Sequence, residues 1–577
     1  MRRILSGHGA SRGSVLGRAR VRLPHALDVV EEHIEASEVD AEMGRLHAAI
    51  DVVRIEMHAL RDRLHGALAY EVGEFLDLHA LLLDDPELLA GLDALVRTGR
   101  YTADYALRLQ RDRIASVFAG MDDAYLRSRI DDIDQVVGRI HAALHRRDAE
   151  LQGIAGDILV TDNIAPSDLA QLHTQGVMAV VTAGGSPLSH SAILARSLHV
   201  PLVIGAAHVL QKVNDGDVLA VDGGSGLVIL EPNADDLREH RARVQGYTRE
   251  RKQLHRLRRE PTRTRDGVDI KLWANAESRE DVAEAHALGA AGVGLYRTEF
   301  LFMHRPADLR YTLPDEEEQF RAYRDLVLGM TGRTVTIRTL DIGADKADES
   351  GLALTGEPNP ALGLRGVRLS LSRIDLFRTQ LRAILRASAY GPLRVLVPMV
   401  SGREEMVAVR ALMGDVQREL RSEGCAIADA VPLGAMIEVP SAAIALQSFI
   451  DTTDFLSIGT NDLVQYLLAA DRTNDALGEL YSPLHPAVLR LLYDVIRIAR
   501  TRGKPLAVCG EIAGDPMFAP VLLALGLEEF SLHPGTLLEL RREVRRLDLS
   551  ALRARTATLL RARDRASIER WLAQAIE

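Results

Sequence analysis

Across residues 266–577, short apolar runs rich in strand-forming residues recur, most of them separated from the next by a helical stretch. The runs are Lys271-Leu272-Trp273-Ala274, Val293-Gly294-Leu295-Tyr296, Thr334-Val335-Thr336-Ile337, Gly366-Val367-Arg368-Leu369, Leu393-Arg394-Val395-Leu396-Val397, Leu433-Gly434-Ala435-Met436-Ile437, Phe455-Leu456-Ser457-Ile458 and Leu506-Ala507-Val508. Strands that alternate with helices build parallel sheets, and a set of eight closes into a (β/α)8 barrel of the TIM type. Such barrels carry their chemistry at the C-terminal ends of the strands. Polar residues gather there in turn: Asn275 and Glu277, then Arg297, Thr298 and Glu299, then Arg338, Asp341 and Lys346. Arg365 and Arg368 flank the fourth run, Glu438 ends the sixth, Asn461 and Asp462 follow the seventh, and Cys509 and Glu511 close the last.

The residue types in that set have a common chemical logic. Arg297, Arg338, Arg365 and Arg472, with Lys346, suit a ligand bearing both a phosphate dianion and a carboxylate, because a guanidinium fork matches either group. Glu438 and Asp462, with no His or Cys pair beside them, point to a hard, oxygen-preferring ion such as Mg2+. Together these groups lower the cost of moving negative charge off a phosphate ester. Cys509 can protonate a carbanion or enolate, or can serve as a small core residue.

The preceding half reads as two kinds of structure. A glycine-rich piece over residues 6–20 ends in strand-like alternation. Met43, Leu46, Ile50, Val53, Met57, Leu60 and Leu64 then recur in threes and fours, the stripe of an amphipathic helix. Asp85-Pro86-Glu87 starts a further helix, with Asp at the N-cap and Pro at the first position. Ile130, Ile133, Val137 and Ile140 mark another, so residues 30–147 form an all-helical unit, a docking surface or lid. Its histidines His33, His47, His58, His65 and His79 show no metal-ligand spacing. Residues 148–232 return to short strands and helices, and with residues 1–29 they make a compact α/β domain. Within it, the run 177–182 leads through Gly184-Gly185 to His190 at the start of a helix over 191–198. Glycines let backbone approach a ligand closely, helix N-termini attract anions, and a neutral imidazole is nucleophilic, so His190 is placed to take up and pass on a phosphoryl group. Residues 233–265, dense in Arg and Glu, form a helical linker to the barrel.

At 577 residues the chain calls for about three domains. A formal net charge of −11 argues against nucleic acid or an anionic membrane surface as partner. Cys425 and Cys509 alone make a disulfide framework implausible, and no apolar leader or spanning run is present, so a cytoplasmic location is expected.

In order along the chain, residues 184–196 around His190, Gly294-Leu295-Tyr296-Arg297-Thr298-Glu299-Phe300-Leu301-Phe302, Ile337-Arg338-Thr339-Leu340-Asp341-Ile342-Gly343, Asn359-Pro360-Ala361-Leu362-Gly363-Leu364-Arg365, Met436-Ile437-Glu438-Val439-Pro440, Ser457-Ile458-Gly459-Thr460-Asn461-Asp462-Leu463 and Cys509-Gly510-Glu511 resemble enzyme I of the bacterial phosphoenolpyruvate-dependent phosphotransferase system. The resemblance covers essentially the whole length. It implies phosphoenolpyruvate in the barrel, with Mg2+ on Glu438 and Asp462. It implies that Arg297, Arg338, Asn461 and Arg472 hold the phosphate, that His190 accepts it, and that Cys509 protonates the enolate to pyruvate. It further implies a swivelling phosphohistidine domain, a helical insertion that docks the small phosphocarrier HPr, and a barrel that forms a homodimer. The alternatives are an enzyme like pyruvate,phosphate dikinase or phosphoenolpyruvate synthase without its ATP domain, and a regulatory phosphotransferase of the nitrogen branch. The sequence offers no glycine-rich phosphate loop before residue 150 for the first and no added N-terminal sensory domain for the second, which tilts the expectation towards sugar uptake. Three places depart from the family pattern: Ser186-Pro187-Leu188-Ser189 is one residue longer than usual before His190, Leu169 stands where a hydroxyl residue is common, and Ser531-Leu532-His533-Pro534-Gly535 replaces a small-residue run.

Overall fold

The computed structural model describes residues 2–22, 31–63, 79–80, 82–119, 124–145, 154–185, 190–198, 200–303, 312–343, 357, 359–471, 477 and 480–576. It separates into two compact units, Met1–Arg251 and Lys252–Glu577.

The first unit is built on eight strands: β1 (Arg3–Ser6), β2 (His8–Ser11), β3 (Ser14–Val21), β4 (Asp157–Thr161), β5 (Ala179–Thr182), β6 (Leu202–Ile204), β7 (Val218–Asp222) and β8 (Leu227–Leu230). They lie in the order β1-β8-β7-β3-β4-β5-β6-β2, with β3 to β6 parallel and the flanking pairs antiparallel. Alternation assigns the two faces. Leu159, Val180 and Leu202 pack on one side, and Ile158, Val160, Val181 and Val203 on the other.

Between β3 and β4 the described residues form four helices, α1 (Val39–Arg63), α2 (Pro86–Arg97), α3 (Ala103–Ala119) and α4 (Ala124–Leu144). The expected stripe on α1 is buried at Met43, Leu46, Ile50, Val53 and Met57, against Leu88, Leu92, Leu107, Val137 and Ile140. Asp85 caps α2, accepting from the N–H groups of Glu87 (2.7 Å) and Leu88 (3.4 Å), and Pro86 occupies the first turn. Helix α5 (Pro166–Thr174) follows β4 and α6 (His190–Ser197) follows β5, while α7 (Ala234–Arg256) crosses the boundary between the units.

The second unit is a closed barrel of eight parallel strands: β9 (Lys271–Ala276), β10 (Val293–Tyr296), β11 (Val335–Arg338), β12 (Leu393–Val397), β13 (Leu433–Ile437), β14 (Phe455–Gly459), β15 (Leu506–Cys509) and β16 (Glu529–Leu532). Seven of the expected runs are strands. The eighth, at Gly366, is helix α8 (Gly366–Ser372). Its Val367, Leu369 and Leu371 imitate strand alternation, but β11 pairs directly with β12, Val335 opposite Leu393, which leaves no gap for a strand between them. The closing strand is instead β16, which pairs with β9 from Glu529–Lys271 to Leu532–Ala274. Phe530 and Leu532 join the apolar layer beneath the helices, while Glu529 and Ser531 turn inward to Trp273 and Asn275. Ser531 and Leu532 therefore end a barrel strand, and His533, Pro534 and Gly535 form the turn that follows it. No helix among the described residues is long and apolar enough to cross a membrane.

Candidate active site

At the C-terminal end of the barrel, side chains from separate strands form one ionic lattice. Arg297, just beyond β10, donates to Glu277 beyond β9. Arg338, the last residue of β11, lies 3.1 Å from Glu299 Oε1 and 3.2 Å from Asp341 Oδ2. Arg365 grips Asp341 with both arms of its fork, Nε to Oδ1 at 3.1 Å and Nη2 to Oδ2 at 2.9 Å, and reaches to 3.8 Å from Asp462.

Burial works against the charges of Arg338, Arg365, Asp341 and Glu438, and partners decide the outcome. For Arg338, burial is outweighed by the carboxylates of Glu299, Asp341 and Glu438, which hold the guanidinium more firmly protonated than usual. Arg365 is likewise raised against burial by Asp341. Asp341 is held below the ordinary carboxylate range because Arg365 and Arg338 overcome its burial. For Glu438 the relief from Arg338 and from the Met399 N–H is too small. Burial, reinforced by the negative charge of Asp462 and Asp341, pushes its carboxyl up.

Glu438, 1% exposed, accepts the Met399 N–H at 2.6 Å. Gly459, at the end of β14, makes room for it, since a Cβ there would lie 2.6 Å from Glu438 Oε2. Asp462 sits in the first turn of helix α9 (Thr460–Leu468), directly after β14. Among the described residues, five carboxylates (Glu277, Glu299, Asp341, Glu438, Asp462) face three guanidinium groups, so an anionic substrate needs further positive charge here. An all-oxygen donor pair in which burial and mutual repulsion raise one carboxyl fits a hard divalent cation. Arg338 Nε and Glu299 Oε2 are buried with no hydrogen-bond partner among the described residues, polar capacity suited to a ligand.

Cys509 closes β15 at 2% exposure beside Leu295, Leu396, Met436 and Phe455. Ser457 Oγ donates to its Sγ at 3.3 Å, and the thiol donates to the Ile458 carbonyl at 3.4 Å. Burial pushes the thiol up to about 11, so it carries its proton throughout the neutral range. Asn461 is locked to Glu511, donating to its Oε1 at 3.2 Å and accepting from its N–H at 3.0 Å. Arg368 stands apart, its guanidinium donating to the carbonyls of Leu362 and Gly363. Lys346 and Arg472 lie outside the described residues.

Three contributors escaped the sequence reading. Ser457 sits inside a run that reads as apolar, but it alternates with Phe455 and Gly459 on the inward face, and that period of two is its signal. Tyr466 donates to the Ala361 carbonyl and accepts from Arg365 at 3.4 Å. Gln380 donates to Thr298 Oγ1 at 3.2 Å and accepts from the Leu340 N–H at 3.0 Å, bracing the segment beyond Arg338. Neither Tyr466 nor Gln380 has a local sequence cue.

In the first unit, His190 is the first residue of α6. The turn before it is fixed by Gly185, whose φ of 97° suits glycine, and by Thr182 Oγ1 donating to the Gly184 carbonyl at 2.7 Å. Ser191 Oγ donates to the Ile164 carbonyl at 2.6 Å and ties the helix start to the segment after β4. Leu169 is fully buried on α5 and brings no hydroxyl. The lead-in 186–189 lies outside the described residues.

Three family descriptions match the chain: PEP-utilising enzyme, N-terminal, over residues 6–129; PEP-utilising enzyme, mobile domain, over 153–226; and PEP-utilising enzyme, PEP-binding domain, over 251–549. A protein of Cupriavidus necator named phosphoenolpyruvate-protein phosphotransferase is 45% identical over 552 residues, spanning 94% of both chains. Proteins of the same name from Geobacillus stearothermophilus and Listeria innocua are 40% and 37% identical, over 94% and 96% of this chain and 93% and 96% of their own length.

Proposed function

The chain belongs to the phosphoenolpyruvate-protein phosphotransferase family, and on that premise we propose that it moves the phosphoryl group of phosphoenolpyruvate to His190 and then to a histidine of an HPr-type phosphocarrier, as the entry step of sugar uptake. The observation that carries the reading is the lattice at the barrel mouth, where guanidinium groups already organised by carboxylates act through their charge on a protonated, buried thiol.

Phosphoenolpyruvate binds with its phosphate on Arg297, Arg338, Asn461 and Arg472, and with Lys346 and Arg365 completing the anion site. Glu438 and Asp462 would hold Mg2+, which supplies charge neutralisation at the substrate's oxygens. The guanidinium groups of Arg297, Arg338 and Arg365 are held by carboxylates before the substrate arrives, so little reorganisation is needed as charge develops on the leaving enolate. His190 attacks phosphorus, the bond from phosphorus to the enol oxygen breaks, and the electron pair stays with the enolate. Cys509 gives its proton to the methylene carbon, pyruvate forms, and the thiolate regains a proton from water.

In this scheme residues 1–29 and 148–232 form the carrier domain, 30–147 the docking unit for the phosphocarrier, 233–265 the linker that lets His190 travel, and 266–577 the substrate and homodimerisation domain. The test is incubation with labelled phosphoenolpyruvate and Mg2+ without ATP. An acid-labile, base-stable adduct is expected in the wild type and absent in His190→Ala. A wild-type protein that stays unlabelled overturns the proposal, as does one labelled equally in His190→Ala.

A further inference from the structure

The helical insertion contains a cluster with no place in this chemistry. Asp104 lies in the first turn of α3, His141 in the last turn of α4, and His145 just beyond it. The two imidazoles are four residues apart, so one helical turn sets them on the same face. Their ring centroids are 4.7 Å apart. Both Nε2 atoms converge on one oxygen, Asp104 Oδ1, from His145 at 2.8 Å and from His141 at 3.5 Å.

We propose that Asp104, His141 and His145 bind a divalent transition-metal ion of the class for which Zn2+ is the natural probe. The three ligand atoms all lie within 4.8 Å of one another. An ion about 2.0–2.1 Å from each ligand in a tetrahedral arrangement would separate them by about 3.3 Å, which small side-chain rotations supply. Two imidazoles and a carboxylate suit a borderline ion better than Mg2+.

The surroundings are built for the role. Arg45, from α1, donates to Asp104 Oδ2 at 2.7 Å and leaves Oδ1 facing the imidazoles. Orienting a ligand through its outer atom is how supporting residues commonly tune a metal centre. The side chains of Asp104 and His141 are each 12% exposed and that of His145 is 36% exposed, so the site opens to water for a fourth ligand and for ion entry. A bound ion would clamp α3 to α4 and, through Arg45, engage α1.

The experiment uses the full chain, stripped with chelator and titrated with Zn2+ by calorimetry under excess Mg2+, which occupies the oxygen-only carboxylates of the barrel. One tight equivalent is expected. His141→Gln/His145→Gln should weaken it at least about 100-fold and Asp104→Asn at least about tenfold, while His190→Ala leaves it intact. Co2+ in place of Zn2+ should give the visible absorption of a low-coordinate site in the wild type and in His190→Ala but not in the double variant. Single His145→Gln, at the exposed edge, guards against a folding defect, and Zn2+ should raise the melting temperature of the wild type but not of the double variant. Equal Zn2+ affinity and melting shift in wild type and double variant would overturn the proposal, as would a wild type without a tight site.

Discussion

Arg338 and Arg394 stand on adjacent strands of one barrel, two ladder steps apart: Arg394 lies opposite Thr336, and Arg338 opposite Leu396. About 7 Å of strand separates the two levels. Both guanidinium groups are buried enough for desolvation to be the largest influence on their charge, yet they respond in opposite directions. Arg338 meets Glu299, Asp341 and Glu438 and is held firmly charged. Arg394 is stacked between the rings of Trp273 at 4.7 Å and Phe455 at 4.5 Å, donates to Thr336 Oγ1 at 3.1 and 2.9 Å, and is lowered by burial that the attraction of Glu529 only partly offsets. The same residue type fills space at the floor and organises charge at the mouth. Chemistry resides where partners, rather than burial alone, set the protonation state.

The sharpest way to break this contrast is to replace both residues by methionine. Arg338→Met leaves Glu299 and Asp341 short of a cation in a buried site, so it should cost about 3–5 kcal/mol of stability. Phosphorylation of His190 by the folded fraction should fall about 10^2- to 10^3-fold. Arg394→Met removes a desolvated charge with no ion pair among the described residues and puts an apolar chain between two rings. Stability should stay within about 1 kcal/mol and the rate within about twofold. Denaturant titration and single-turnover labelling read both quantities. Equal losses of rate in the two variants would abolish the distinction between floor and mouth.

The two ends also differed in how far the sequence disclosed them. Mouth residues such as Arg297 and Glu438 immediately follow apolar runs and Asp462 comes within a few residues of one, and strand ends are where a barrel concentrates function, so placing the strands placed the residues. The one misplaced strand shows the limit. Val367, Leu369 and Leu371 alternate like a strand, whereas the true closing strand is four residues long with Glu529 and Ser531 on alternate positions, and its polar half faces inward because the partners there are Trp273 and Asn275. Local pattern cannot distinguish a polar residue facing the barrel interior from one facing water. The floor is hidden for the same reason, since Arg394 in a strand reads as a surface residue until its ring partners, far away in sequence, are known. In the helical insertion the stripes of α1 and α4 were legible, while the cluster of Asp104 and His145, 41 residues apart, exists only after packing.

Cys509 sharpens the contrast from the acid side. Burial pushes its thiol from near 9 up to about 11, so the folded protein keeps a proton that the unfolded chain loses earlier. That stabilisation is complete below about pH 9 and disappears as the pH rises to about 11, worth about 3 kcal/mol across the window. Cys509→Ser, which has no thiol to titrate, should lose this part of the alkaline decline in a comparison of melting curves from pH 8 to 11. It should also slow enolate protonation about 100-fold. An unchanged pH profile would mean that the thiol is not held protonated by its surroundings.

The smallest effect belongs to Ser457, which touches the thiol and sits between floor and mouth. Its hydroxyl donates to Cys509 Sγ and counteracts burial, so Ser457→Ala should raise the thiol further and make it a weaker acid. One buried hydrogen bond is worth about 1 kcal/mol, which corresponds to about fivefold in the proton-transfer step. The loss should appear in the rate of pyruvate formation relative to His190 phosphorylation, because in the proposed scheme the phosphoryl transfer depends on the arginine lattice and not on the thiol. Ser457→Thr keeps a hydroxyl at the same point and should recover most of the loss. If Ser457→Ala instead slows phosphorylation and pyruvate formation equally, the hydroxyl supports the barrel wall as Arg394 does and belongs with the floor.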